Sequence, residues 1–293
     1  MDKYKVLILG SKINDLKQSR SIFQLLSYYI FLGFNKIKNV KAYYYDKESE
    51  ELPLVDFIIV ISYSSINIDL NHLKEKTKAI KICSLRENYS SYDFDFTFNL
   101  DRNNDRSYGF PPPCSKEILK PSKKESKTIL IDHYWENYLK TDRDWTETIE
   151  NWIEERYSEY KIYRLIRFNN EKNNIKSFEI PIFYSDYLSY LESTSHIETF
   201  IITHYESYSY GVIDMVARGT RVFSPPGFIP KYLLETFNIP VFKNKDNFFR
   251  LLDEPIDKKN LNSKIDSCID YFDISKEIDV FFRQWMENKD VDK

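Results

Sequence analysis

Short apolar runs alternate along this chain with stretches whose apolar positions recur every three or four residues. Val6-Leu7-Ile8-Leu9 runs into Gly10-Ser11, the mark of a strand followed by a turn. Residues 19–33 place Ile22, Leu25, Leu26, Tyr29, Ile30 and Leu32 on one face, which predicts a helix stopped by Gly33. Strands are predicted at 40–45, 55–62, 80–84 and 94–99, with a modest helix at 66–76. Residues 101–127 break the pattern with Asn103-Asn104, Gly109, Pro111-Pro112-Pro113 and a Lys/Ser-rich piece, and read as a linker. A second round opens at 128–131 and continues with a helix at 145–157 and a strand at 162–166. A polar insert at 169–176, a short strand at 178–183, a helix at 184–192 and a strand from Thr199 follow. Beyond Gly227 come a helix at 230–237, a short strand at 241–242, a helix at 246–252 and an amphipathic stretch at 274–286.

Strands that alternate with helices predict an α/β fold built on doubly wound parallel sheets. At 293 residues the chain suits two domains of about 100–150 residues each. The expected division is an N-terminal domain over 1–115 and a C-terminal domain over 125–273. Residues 274–293 are expected to form a helix that packs back on the first domain. Composition refines this only a little. Lys plus Arg number 42 against 45 Asp plus Glu, so no basic excess points to nucleic acid. Cys83, Cys114 and Cys268 are too few and too scattered for a disulfide framework or a zinc site, and reduced thiols in a cytoplasm are the expectation. The apolar run at 22–34 carries Gln24 and Ser27 and falls short of the roughly 20 residues that span a bilayer, so at most peripheral membrane contact is expected.

The stretch with the most chemistry is TFIITHYESYSYGVIDMVARGTRVFSPPG, residues 199–227. Phe200–Ile202 is an apolar strand, 204–210 a polar aromatic loop, and 210–217 a helix with Val212, Ile213, Val216 and Ala217 on its apolar face. Gly219 is placed to close that helix, and a second strand follows at 221–223. In a parallel sheet, ligands sit outside the carboxyl ends of such strands, against a helix N-terminus. Glu206 and Asp214 bracket the entry to the helix. Asp214 stands among Val212, Ile213, Met215 and Val216, where a lone carboxylate is costly unless paired or bound to a ligand. A solvated loop acid and a helix-surface acid are the plainer alternative.

This stretch resembles the acid-x7-acid signature of retaining glycosyltransferases of the GT-B fold, with Asp214 in place of the usual second Glu and the fit extending through Gly211 to Thr220. The resemblance implies two Rossmann-like domains facing across a cleft, donor in the second and acceptor in the first. It implies that Glu206 bonds the donor sugar's hydroxyls and that Asp214 bonds the nucleotide ribose, since a carboxylate accepts from vicinal hydroxyls. The helix start at Ser209, Tyr210 and Gly211 would receive the diphosphate, although the family often has Gly where Ser209 stands; an ordinary Ser cap is the alternative. An empty donor site would leave Asp214 facing water, so Asp214→Asn is expected to keep the fold's stability. The family's Arg-x4-Lys after the first strand of the second domain is absent; Lys140 and Arg143 follow there instead, with Arg164 and Arg167 as further cations and surface charge as the alternative. Base recognition falls to the place of Pro181-Ile182-Phe183, where Ile182 serves packing equally well.

His204, two residues before Glu206, and Asp15, after the first strand, are further candidate acid/base groups. Asp93-Phe94-Asp95 and Asp142-Arg143-Asp144 match a two-acid metal pattern, but acids are frequent here and the α/β alternation is wrong for it; no metal and no cofactor are expected. The resulting expectation is a metal-independent glycosyltransferase that moves a sugar from a nucleoside-diphosphate donor to a glycan, protein or lipid acceptor. A nucleotide-sugar 2-epimerase and a catalytically silent binding or assembly subunit are the rivals.

Overall fold

The structure is a computed structural model, and it describes residues 4–10, 12–13, 19, 22–45, 51–61, 68–84, 94–99, 107–109, 119–132, 140–166, 175–203, 210–257 and 274–283. The chain forms two compact units, Met1–Ser115 with Phe272–Lys293, and Lys116–Tyr271.

The first unit is built on a six-stranded, all-parallel sheet of order β2-β1-β3-β4-β5-β6. Its strands are β1 (Tyr4–Leu9), β2 (Val40–Tyr44), β3 (Phe57–Val60), β4 (Lys81–Ser84), β5 (Phe96–Asn99) and β6 (Ser107–Gly109). The Phe-Ile-Ile-Val run of β3 is buried throughout, as a central parallel strand covered on both faces must be. Leu7, Leu9, Ile58 and Val60 meet Leu70 and Leu73 of α2 (Leu70–Thr77). Asp69 caps α2 by accepting from the amides of Asn71 and His72 at 3.0 and 3.1 Å. Helix α1 (Ile22–Lys36) packs on β1 and β2. Gly10 makes this approach feasible, because a Cβ there would lie 2.2 Å from the Ser27 Oγ of α1.

Two expectations are corrected here. Gly33 does not stop α1, which runs on to Lys36. The next residue, Phe34, is buried and extends the apolar face, and the left-handed turn that Gly33 was to supply falls on Asn39 at φ 68°. The supposed linker contains β6, whose Ser107, Tyr108 and Gly109 pair with Thr97, Phe98 and Asn99. Three residues of edge strand carry too little periodicity to stand out beside a Pro-rich run. The last described helix, Ile274–Phe281, lies on α1, and just past it Phe282 meets the rings of Tyr4, Phe34 and Phe57.

The second unit carries a five-stranded parallel sheet of order β11-β10-β7-β8-β9. The strands are β7 (Thr128–Asp132), β8 (Lys161–Ile166), β9 (Glu179–Phe183), β10 (Thr199–Ile202) and β11 (Arg221–Phe223). On one face Ile129, Ile131, Ile162, Ile201 and Phe223 pack against Ile149 and Ile153 of α3 (Lys140–Glu154) and Phe248, Leu251 and Leu252 of α7 (Lys245–Asp253). Trp145, Trp152, Phe242 and Phe248 seal that layer, four of their five ring pairs edge to face and Trp152 tilted on Phe248, with centroids 5.0–6.2 Å apart. Helix α5 (Tyr210–Ala217) lies on the other side, where Gly211 faces the Phe200 ring, α4 (Tyr187–Ser193) is hydrogen-bonded to it, and α6 (Lys231–Thr236) follows β11. Instead of the strand expected at 241–242, a parallel bridge pairs Val241 with Ser224, and Phe242 is fully buried. Among the described residues no helix is long and apolar enough to cross a membrane.

Candidate functional site

A doubly wound sheet changes winding direction at one place, and ligands bind outside the carboxyl ends of the strands there. In the second unit β7 leads to β8 and β9 on one side while β10 and β11 lie on the other, so the change falls between β7 and β10. Register sets Asp132, the last residue of β7, beside Ile202, the last of β10. The next residue, Thr203, is fully buried and donates its hydroxyl to the Asp132 carbonyl at 2.6 Å, locking the two strand ends together. Both chain segments that leave this point, 133–139 and 204–209, lie outside the described residues.

Helix α5 is the next described element. Its eight residues are Tyr-Gly-Val-Ile-Asp-Met-Val-Ala, and Val212, Ile213, Met215, Val216 and Ala217 are all buried. It ends in a Schellman turn, with the Thr220 amide reaching the Met215 carbonyl at 2.9 Å and the Gly219 amide reaching Val216 at 3.0 Å. Gly219 takes φ 85° there, a left-handed value that suits a residue without Cβ. At the other end, a Cβ on Gly211 would make ordinary contact with the Phe200 ring at 3.5 Å, so Gly211 allows α5 to sit close to β10 without being forced by it.

Asp214 is the polar exception on this helix. It is 2% exposed, and its Oδ1 accepts the Tyr187 hydroxyl at 2.7 Å. This overturns the expectation that Asp214 faces water when no ligand is bound, and with it the expectation that Asp214→Asn leaves stability unchanged. A carboxylate placed among Val, Ile and Met is tolerable only with such partners. Four residues on, Arg218 is also buried. Its guanidinium donates to the Asp214 carbonyl at 3.1 Å, to the Leu191 carbonyl, and to the Thr194 hydroxyl at 2.9 Å, so it ties the end of α5 to the end of α4. The same guanidinium lies 5.8 Å from the Tyr190 ring centroid. Burial pushes the Tyr190 phenol well above its ordinary range, and the charges of Asp214 and Asp132 push the same way.

Helix α4 is fixed independently. Asp186 and Ser189 form a reciprocal capping box, with Asp186 accepting the Ser189 amide at 2.9 Å and the Asp186 amide donating to Ser189 Oγ at 3.0 Å. The Ser185 hydroxyl and the Ser189 amide hold the Asp186 carboxyl below its usual range. The first turn of α4 therefore presents Tyr187 to α5 from a rigid start.

The other candidates are placed unevenly. Glu206, His204, Ser209 and Asp15 lie outside the described residues, as do Asp93 and Arg167. For Tyr210 the structure describes the backbone alone, as the first residue of α5. Lys140 and Arg143, expected ahead of the helix, belong to its backbone instead, because α3 begins at Lys140. The Ile182 side chain is buried, so it serves the core; its neighbour Phe183 is 53% exposed on the edge strand. Arg164 is withdrawn from any anion by Glu179 at 3.3 Å and Glu150 at 3.9 Å, in a network that Lys176 joins through Glu150 at 3.0 Å. Among the described residues no group of three or more His, Cys, Asp or Glu is gathered to hold a metal ion.

Tyr187, Arg218 and Thr203 were not singled out from the sequence. Asp214 and Arg218 stand four apart on an otherwise apolar helix, and that spacing was the available signal for Arg218. Tyr187 had none, since its partner is distant in the chain.

No family model matches the sequence, and no curated protein matches it. The fold does have solved counterparts. AviGT4, a glycosyltransferase involved in avilamycin A biosynthesis, superposes with a TM-score of 0.64 over 97% of both chains at 11% identity. HepE from Anabaena, solved with UDP and glucose, gives 0.61 over 96% of this chain and 99% of its own at 6% identity. The UDP-GlcNAc 2-epimerase of Neisseria meningitidis, bound to UDP-GlcNAc, gives 0.55 over 97% and 100% at 11% identity. The chain has the GT-B fold of two Rossmann-like units.

Proposed function

We propose that this protein is a glycosyltransferase that moves a sugar from a nucleoside diphosphate to an acceptor hydroxyl in the cytoplasm, without a bound divalent metal. The supporting observation is the second unit's change of winding between β7 and β10, together with the next described helix, which carries a buried, hydrogen-bonded acid at Asp214. In this reading Asp214 accepts from the ribose hydroxyls and Glu206 from the donor sugar. The amides that open α5, with the Ser209 hydroxyl before them, meet the diphosphate, and the field at a helix N-terminus favours its negative charge. Transfer breaks the bond between the anomeric carbon and the diphosphate oxygen. It forms a bond from that carbon to the acceptor oxygen, whose proton leaves to a basic group. His204 and Asp15 are the side chains assigned to that proton. Lys140 and Arg143 supply positive charge toward the leaving diphosphate.

The test is calorimetric titration of the full chain with UDP, ADP, GDP and CDP, followed by turnover assays with the corresponding sugar nucleotides in EDTA. Binding of at least one diphosphate, and release of that diphosphate from its sugar in the presence of an acceptor and EDTA, is expected. Silence toward all four would remove the donor site. Activity lost in EDTA and restored by manganese would contradict metal independence.

The likeness to an epimerase bound to UDP-GlcNAc favours one further reading, inversion at C2 of the donor sugar. The same experiment separates the two. Epimerisation takes up solvent deuterium at C2 and needs no acceptor, whereas transfer leaves C2 protiated and consumes one acceptor hydroxyl per diphosphate released.

A further inference from the structure

We infer that Tyr187 is a positioning residue for the nucleotide ribose, acting through Asp214 and setting the preference for a ribose that carries both of its vicinal hydroxyls. This rests on the reading that Asp214 accepts from those hydroxyls. The inference starts from burial. A carboxylate that is 2% exposed cannot rely on water to orient it, so its direction is set by its protein donors. The Tyr187 phenol supplies such a donor at 2.7 Å. Arg218 is the nearest cation along the helix, yet the hydrogen bonds its guanidinium makes go to the Asp214 and Leu191 carbonyls, Thr194 Oγ1 and Met215 Sδ. Arg218 therefore ties the end of α4 to the end of α5, and Tyr187 is a donor that acts on the carboxylate itself.

The chemistry of the donor matters as much as its place. A neutral phenol occupies one acceptor position of an oxygen pair that offers about four, and it leaves the acid's negative charge in place. That charge makes a hydrogen bond from a ribose hydroxyl about twice as strong as one between neutral groups. The phenol is itself held on a capped helix, and its ring stacks on Tyr190 at 6.3 Å and 28°. Tyr187 also lies four residues beyond Phe183, the last residue of β9, so one hydrogen bond joins the segment after β9 to the acid-bearing helix.

Tyr187→Phe removes the hydroxyl and little else. The wild type, Tyr187→Phe, Asp214→Asn and the double variant are each titrated with UDP, ADP, GDP and CDP and with their 2′,3′-dideoxy analogues. For the base that binds, the wild type is expected to prefer the ribose form by about 10-fold or more, the value of one hydrogen bond to a charged group. Tyr187→Phe is expected to cut that preference to about 2–3-fold while binding the dideoxy analogue normally, because only the orientation of the ribose acceptor is lost. The double variant is expected to discriminate no less than Asp214→Asn alone, since the phenol acts only through the acid. Equal weakening toward both analogues in Tyr187→Phe would make Tyr187 a structural residue and leave the donor site standing. A wild type indifferent to the ribose hydroxyls would instead sink the role of Asp214, and this inference with it. Should Tyr187→Phe fail to fold, Tyr187→His takes its place: the shorter ring does not reach the carboxylate, and the same narrowing is expected.

Discussion

The two faces of the second sheet solve the same packing problem with different chemistry. Against α3 and α7 the sheet offers Ile129, Ile131, Ile162 and Phe223, closed by Trp145, Trp152, Phe242 and Phe248. On the side of α4 and α5 the apolar Val212, Ile213, Met215 and Val216 are joined by Tyr187, Tyr190, Asp214 and Arg218, with three hydrogen bonds linking the two helices and the residues just past their ends. The first layer gains from area removed from water and tolerates rearrangement within its volume. The second gains little from burying charge, and it holds only while every partner is in place. Its position beside the change of winding between β7 and β10 is the reason to connect it with a ligand.

Side-chain swaps of matched shape should expose that difference. Arg218→Met keeps an unbranched chain but leaves the Leu191 and Asp214 carbonyls and the Thr194 hydroxyl without their guanidinium donor. A loss of about 3 kcal/mol or more is expected, read as a lower urea midpoint. Ile149→Leu, on the dry face, rearranges one fully buried methyl group and should cost less than about 1.5 kcal/mol. Equal losses in the two variants would mean that the α4/α5 layer is ordinary packing, and would take the structural argument for Asp214 down with it.

The parallel, doubly wound plan was legible because its central strands are dense apolar runs, unlike β6, and α5 and β11 were readable to the residue. The site was less so. Asp214 was recognisable from its spacing to Glu206, but its burial was not. Whether an acid on an apolar helix faces water or protein depends on what packs above it, and here that is Tyr187 on α4, 27 residues earlier in the chain. The pairing of Arg164 was hidden for the same reason: its partners Glu150 and Glu179 come from α3 and β9, and no local pattern announces them. The opening of α3 at Lys140 was missed because Lys-Thr-Asp-Arg-Asp carries no apolar residue to mark the start. Periodicity finds elements, but the pairing of buried charges is decided by which elements meet.

A smaller effect sharpens the contrast between a face that ignores pH and one that does not. Lys124 lies at the start of the second unit, where its ammonium donates to the Ser195 carbonyl and to Ser122 Oγ, both at 2.9 Å. Burial, and then the charge of Arg218, lowers its pKa from 10.5 to about 7. The sign follows from proton counting. Below about 7 the group is charged in the folded and the unfolded chain alike, and the folded state bears the full cost of burying that charge. Between about 7 and 10.5 the folded chain has released the proton while the unfolded chain still holds it, so the unfolded state binds more protons and stability rises with pH. His196 does not blur this window, since burial lowers its imidazole and moves its titration to the acid side. Urea midpoints taken from pH 6.5 to 9.5 should therefore drift upward in the wild type, and Lys124→Gln, which keeps a donor but cannot titrate, should flatten the drift. Ile149→Leu should leave the slope as it is. A slope unchanged in Lys124→Gln would show that Lys124 keeps its ordinary affinity for the proton, and that the buried charge of Arg218 does not reach it.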